Sequence, residues 1–125
     1  MMLERAERAI QNLAENYEAE LTEDLAQLKK HLECAEWTDA QHYAYKIKSA
    51  AGTMGWPLIS TASNFLVHAL TGRDQIPQFE DIILIQFETL DLIHKEGMKG
   101  EDPCGVLLVK ELFAVLENYG VRAPI

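Results

Sequence analysis

Hydrophobic residues recur at a spacing of three or four along most of the chain, which is the periodicity of helices with one buried face. In the first third of the chain this pattern predicts one long helix or two shorter ones. Thr22, followed by Glu23 and Asp24, is typical of a helix N-cap and favours a break near Leu21. The apolar positions of this stretch are Leu3, Ala6, Ile10, Leu13, Tyr17, Leu21, Leu25, Leu28 and Leu32.

A second helix is predicted to begin at Thr38, because Thr38 and Gln41 have the spacing of a capping box. It should end within residues 52–55, where two glycines tolerate the turn that a helix exit often needs. Pro57 then suits the first turn of a third helix. The buried stripe of that helix is predicted to be Leu58, Ala62, Phe65, Leu66 and Ala69.

The last part of the chain is predicted to hold two more helices. A turn at 71–77 precedes a helix from Phe79 to beyond Ile93; the apolar run 82–85 would also suit a buried strand, but the length of the pattern favours helix. A loop at 97–105, with Pro103 inside it, precedes the final helix. The apolar seam of that helix is Val109, Leu112, Leu116 and Tyr119.

No segment alternates as a strand would. We therefore expect an all-α fold in one domain spanning 1–125. Its five or six helices should include four long ones in an antiparallel bundle closed by short turns.

Composition narrows the function classes. The chain has 125 residues, of which 48% are hydrophobic and 25% charged, as in an ordinary globular protein. Its net charge of −9 disfavours nucleic acid and anionic lipid as partners, because both are bound largely by neutralising negative charge. A protein or a cation is the more natural partner.

The N-terminal sequence and the cysteines lead us to expect a cytoplasmic protein. Cys34 and Cys104 form no CxxC pair and are expected to be reduced thiols. The N-terminus lacks the pattern of a secretion signal. Residues 49–72 contain no Lys, Arg, Asp or Glu and are long enough to span a membrane. Their hydroxyl side chains, glycines and proline nevertheless make this segment too polar to insert.

The predicted second helix has an unusual polar face. On a helical wheel this face lies opposite the apolar stripe of Ala44, Ile47, Ala51 and Met54. It begins with polar and aromatic side chains, carries a lysine and ends in small residues, which would let another protein approach the backbone closely. Alternatively, the small residues only let neighbouring helices pack tightly. The face consists of Gln41, His42, Tyr45, Lys48, Ser49 and Gly52.

Residues 44–55 read AYKIKSAAGTMG. This run resembles the signature A-H-x-L-K-G-x-x-G-x-x-G of histidine-containing phosphotransfer (HPt) domains, and the likeness extends over about residues 17–70. In that family an exposed histidine of a four-helix bundle takes a phosphoryl group from an aspartate of a receiver domain and passes it on. The resemblance implies a bacterial two-component phosphorelay, with a response-regulator receiver domain or a histidine kinase as partner.

The chain departs from that signature at the phosphoacceptor, where Tyr45 replaces the histidine. A phosphotyrosine ester is too stable to return its phosphoryl group readily to aspartate, so the resemblance implies an adaptor or inhibitor and not a transferase. No cofactor, nucleic acid or membrane is expected. The residues implied in partner binding are His42, Tyr45, Lys46, Lys48, Ser49, Gly52 and Gly55.

Two other interpretations stay open. His42 lies one turn before Tyr45 and would be the acceptor of an active phosphotransfer protein. Alternatively, the chain is an unrelated helical interaction module. His68 is expected to pack partly buried, and His31 with Cys34 is too small a ligand set to predict a metal site.

The negative charge is unevenly distributed. Residues 1–36 carry nine acidic against four basic side chains, and residues 74–125 carry ten against four. Residues 37–73 carry one acidic against three basic side chains, Lys46, Lys48 and Arg73. This positive stretch contains the HPt-like motif and should attract the acidic phosphorylation site of a receiver domain.

Overall fold

The computed structural model describes residues 2–100 and 102–118. These residues form five α-helices and a short 3-10 helix, Arg73–Gln75, and they include no strand. The predicted all-α class is therefore confirmed, and the apolar run 82–85 is helical. The helices are α1 (Met2–Glu33), α2 (Trp37–Thr53), α3 (Pro57–Thr71), α4 (Phe79–Lys95) and α5 (Pro103–Asn118).

The core lies between α2, α3, α4 and the C-terminal half of α1. Helix α2 packs against both α1 and α3, and α3 also packs against α4 and α5. A smaller cluster attaches α5 to α3 and α4. From Tyr17 onward the helices bury most of the apolar positions that the periodicity predicts. The prediction is wrong for the start of α1, where Leu3, Ala6, Ile10 and Leu13 are exposed because no described helix packs against them. The smaller cluster consists of Phe65, Ile82, Leu112 and Leu116.

Helix α1 runs without a break from Met2 to Glu33, so the predicted interruption near Leu21 is wrong. The Thr22 hydroxyl does not cap a new helix. It donates to the carbonyl oxygen of Glu18, one turn earlier, at 2.9 Å. A threonine in mid-helix satisfies its hydroxyl in this way without ending the helix.

The predicted capping box is also wrong. Helix α2 begins at Trp37, and no side chain in the described part of the chain caps its first turn. The amide of Gln41 does not fold back onto its own helix but donates to the Thr71 hydroxyl at 2.9 Å. Gln41 thus makes a tertiary hydrogen bond to the C-terminal end of α3 instead of the predicted capping contact within α2.

The exit of α2 and the start of α3 agree with the prediction. Gly55 has a φ of +89°, and the N–H of Trp56 donates to the carbonyl oxygen of Ala51 at 2.9 Å, which closes the helix. Pro57 follows in the first turn of α3. The tight reversal fixes α3 against α2.

The loop before α5 is shorter than predicted. The helix already begins at Pro103, and the Asp102 carboxylate accepts from the N–H of Cys104 at 2.9 Å and of Gly105 at 3.3 Å. Asp102 therefore caps a helix that contains Gly105 in its first turn. The predicted seam position Tyr119 lies outside the described residues.

Among residues 2–100 and 102–118, no helix is both long and apolar enough to cross a membrane.

Candidate functional site

The candidate site is the exposed face of α2. Burial of Ala44, Ile47 and Ala51 against the core turns the opposite side of the helix outward. The Tyr45 side chain is 58% exposed, a large value for an aromatic residue next to a packed core. His42 and Ser49 are exposed as well. The helix thus presents Tyr45 to solvent.

Tyr45 and Lys48 act as a pair on this face. The Lys48 ammonium nitrogen lies 5.6 Å from the centroid of the Tyr45 ring, within the range of a cation–π contact. The three-residue spacing on a helix brings the two side chains together. A partner would therefore meet an aromatic ring and a positive charge side by side.

Gly52 and Ser60 explain one of the small residues of the motif. A Cβ atom on Gly52 would lie 3.1 Å from the Ser60 hydroxyl, which donates to the carbonyl oxygen of Lys48 at 2.8 Å. Any side chain at position 52 would push against this bond between α3 and α2. Gly52 thus serves helix packing, as the alternative interpretation of the small residues proposed, although its backbone is exposed.

Gly55 has a different role. Apart from its two chain neighbours, no atom of the described residues would lie within 4 Å of a Cβ at this position, so space does not require glycine. The positive φ of +89° does, because other residues adopt this conformation at a cost. Gly55 therefore shapes the turn that ends α2.

Lys46 points away from Tyr45, toward α1. Its ammonium group lies 3.0 Å from Asp24 and 3.3 Å from Glu20. The hydrogen bond to Asp24 is the main cause that raises the pKa of Lys46. Within the expected binding set, Lys46 is thus committed to a contact inside the molecule.

The positive patch is accordingly smaller than the sequence predicts. Arg73 donates to the carbonyl oxygen of Leu70 at 2.9 Å, at the end of α3. Of the three cations in residues 37–73, only Lys48 lies beside Tyr45, since Lys46 is neutralised by α1. The electrostatic attraction of this face rests on Lys48.

Tyr17 lies near Asp24 and Glu20, the two acidic side chains that contact Lys46. It is 5% exposed, and its hydroxyl has no hydrogen-bond partner among the described residues. Burial, with smaller contributions from Asp24 and Glu20, raises the pKa of Tyr17 to about 12. The protein therefore holds this phenol protonated.

This shift predicts a loss of stability at high pH. A group whose pKa is raised on folding stabilises the protein below its unfolded pKa, here 10.0, and the stabilisation is lost as pH rises toward 12. Over that window we expect the free energy of unfolding, measured with urea, to fall by about 2–3 kcal/mol through Tyr17. Tyr17→Phe should remove this part of the fall, whereas Tyr45→Phe should keep it; an unchanged fall in Tyr17→Phe would contradict the assignment.

Aromatic rings and acids form a second group at the start of α2. The Tyr43 ring stacks on His31 at 5.4 Å between centroids and meets the edge of His42 at 5.7 Å. His31 Nδ1 lies 3.1 Å from a carboxylate oxygen of Glu36. The structure therefore connects His42 to Tyr43 and not to Tyr45.

The same group contains three potential metal ligands, of which the sequence analysis named only His31. Donor atoms of His31, Glu36 and Asp39 lie within 4.8 Å of one another. Cys34, the partner that spacing suggested for His31, is exposed and outside this set. Sequence spacing along one helix missed the set because the turn between α1 and α2 brings its members together.

His68 differs from its prediction. The residue is exposed and not partly buried, because the neighbouring stripe of Ala69 and Leu70 faces the core instead. His68 is thus not part of the packing between helices.

Comparison of the chain with protein-family models, with curated proteins and with solved structures finds no match. The interpretation of this face therefore depends on the residues of α2 and their geometry.

Proposed function

We propose that this chain is an HPt-like signalling module of a bacterial two-component phosphorelay. In this proposal four of its helices form the antiparallel bundle of that family, and the exposed face of α2 docks on a response-regulator receiver domain or on a histidine kinase. The module acts by occupying its partner, as an adaptor or inhibitor, and passes no phosphoryl group through Tyr45. The observation that carries the proposal is the exposed Tyr45–Lys48 pair at the motif's acceptor and lysine positions.

The chemistry of the pair suits a docking site. A half-exposed tyrosine offers a large apolar ring with a polar tip, the side-chain type enriched at the centres of protein interfaces. Lys48 adds a positive charge that would meet the carboxylates gathered at the phosphorylation site of a receiver domain. Ser49, exposed one residue further on, leaves room for that approach.

The test is binding of the full chain to a panel of purified receiver domains and histidine kinases, measured by calorimetry. For a receiver that binds, we expect Tyr45→Ala and Lys48→Glu each to raise the dissociation constant by about tenfold or more, as loss of a central anchor does. Leu84→Ala is the matched control, because Leu84 is 56% exposed on α4.

Two results would overturn the proposal. One is unchanged affinity in both α2 variants, and the other is an equal loss in Leu84→Ala. Gly52 is a poor test position, since a side chain there would disturb the Ser60 hydroxyl.

A working phosphotransfer protein using His42 is the second candidate, favoured by the exposure of His42 on the same helix. Incubation with a phosphorylated receiver separates the two. Acid-labile label that disappears in His42→Ala supports transfer, and absence of label with retained binding supports the adaptor.

A further inference from the structure

The first half of α1 lies outside the packed core. All residues from 3 to 16, here called the N-terminal arm, are exposed. They include three large apolar side chains: Leu3 is 77% exposed, Ile10 67% and Leu13 59%. A helix of this length is marginal in water on its own. Among the residues that the structure describes, none covers the apolar face of the arm.

This face has the pattern of half a helix–helix interface. Its residues, Leu3, Ala6, Ile10 and Leu13, follow the alternating spacing of three and four that forms a coiled-coil seam. The positions beside the seam hold mostly small or uncharged residues, with Glu7 the exception. The remaining charges of the arm lie on its other side, at Glu4, Arg5, Arg8 and Glu15.

The seam continues onto the core of the molecule. From Tyr17 onward the same face of α1 is covered, with Tyr17 5% and Leu21 0% exposed. Near Tyr17, where α2 begins to pack against α1, a groove between the two helices is lined in part by Leu13, Tyr17 and Met54. A helix lying along the arm would thus end in an apolar groove.

We propose that the occupant of this seam is a second copy of the chain, whose arm lies antiparallel to the first. In that pairing the small Ala6 faces the larger Ile10, and Leu3 faces Leu13, each contact occurring twice by two-fold symmetry. The first turn of each arm reaches the groove beside Leu13 of its partner. This matching of the arm with itself is what selects a second copy as the occupant.

The packing of α1 sets the orientation. In a parallel pair each α1 would continue along the other beyond Tyr17, where the chain's own α2 already covers the seam. An antiparallel pair overlaps only through the exposed arms and places the two cores at opposite ends. Tyr45 and Lys48 take no part, so the inference is independent of the proposed function.

The interface is small, and the dimer should be weak. An arm of fourteen residues is only about 21 Å long, and stable interfaces usually bury on the order of 1,600 Å². We therefore expect a dissociation constant on the order of 10–100 µM.

Sedimentation velocity of the full chain across that concentration range tests the proposal. The wild type should shift from monomer to dimer, and the double variant Ile10→Gln/Leu13→Gln should raise the dissociation constant by about tenfold or more. Leu84→Gln/Leu107→Gln is the matched control, with 56% and 57% exposure outside the arm. A monomeric wild type, or a dimer that survives in the arm variant, would overturn the proposal.

Energy transfer between dyes on Cys34 tests the orientation, with Cys104→Ser leaving one thiol for labelling. In the antiparallel pair the two Cys34 positions lie about 80 Å apart, from 1.5 Å per residue along α1, and transfer should be low. High transfer in the dimer would refute the antiparallel arrangement. Unfolding curves that match the wild type show that the arm variants keep their core.

Discussion

Gly105→Val is expected to lower the free energy of unfolding by about 2–3 kcal/mol, because added side-chain atoms would overpack a filled contact. Gly105 is buried in the first turn of α5. A Cβ there would clash with the end of the Leu58 side chain on α3 and lie 3.2 Å from Cβ of Met98. Leu58 belongs to the core, so it has little room to move aside.

The control for this variant is Ala114→Val on the exposed side of the same helix. It carries the cost of a β-branched residue in a helix without the clash and should change stability by less than about 1 kcal/mol. Urea unfolding of the three proteins gives the comparison. Equal stabilities of Gly105→Val and Ala114→Val would show that α5 does not depend on close approach at Gly105.

The same glycine shows how far sequence patterns reach. Periodicity predicted the final helix and its buried Leu112 and Leu116, and both are buried. A glycine two residues after Pro103 looked like loop, because glycine is costly inside a helix. Glycine is needed at position 105 because Leu58 of α3 packs closely against it. A pattern of neighbouring residues in the sequence does not contain that contact.

The wrong helix boundaries have the same origin. Thr22 and Thr38 are N-cap residues by type, yet Thr22 bonds back to Glu18 within a continuous helix. Gln41 reaches the Thr71 hydroxyl, thirty residues away, in place of its own first turn. Side-chain hydrogen bonds of these residue types compete between local and tertiary partners, and only the folded chain decides between them.

The sequence predicted which residues of α2 are exposed, but it did not predict which of the positive charges on this helix are neutralised. Helical spacing correctly placed Tyr45 outside and Ala44 and Ile47 inside. The charge count by segment treated Lys46 as part of a positive surface, although Asp24 and Glu20 approach it from α1. Net charge along a sequence does not report which opposite charges the fold brings together.

Tyr45→His is expected to convert the chain from a non-acceptor into a phosphoryl acceptor, on the basis of the proposed function. The position is exposed, and Lys48 lies close enough to offset the negative charge of a phosphoryl group. The imidazole nitrogen would attack phosphorus as the bond to the receiver's aspartate breaks, leaving the aspartate carboxylate. The variant should therefore gain acid-labile label from a phosphorylated receiver that binds the wild type.

The comparison that decides this uses His42→Ala as background, so that no label arises from the neighbouring histidine. Tyr45→Phe in that background should gain no label, and adding Lys48→Ala to Tyr45→His should slow labelling by about tenfold, the effect of losing one charge-assisted contact. Circular dichroism checks that α2 stays helical in each variant. A Tyr45→His protein that binds the receiver but stays unlabelled would show that an exposed histidine with a nearby lysine is not sufficient for phosphoryl transfer. It would also show that the receiver's aspartate does not reach position 45. Docking would then have to place the acidic pocket elsewhere on α2, with Tyr45 as a contact at its edge.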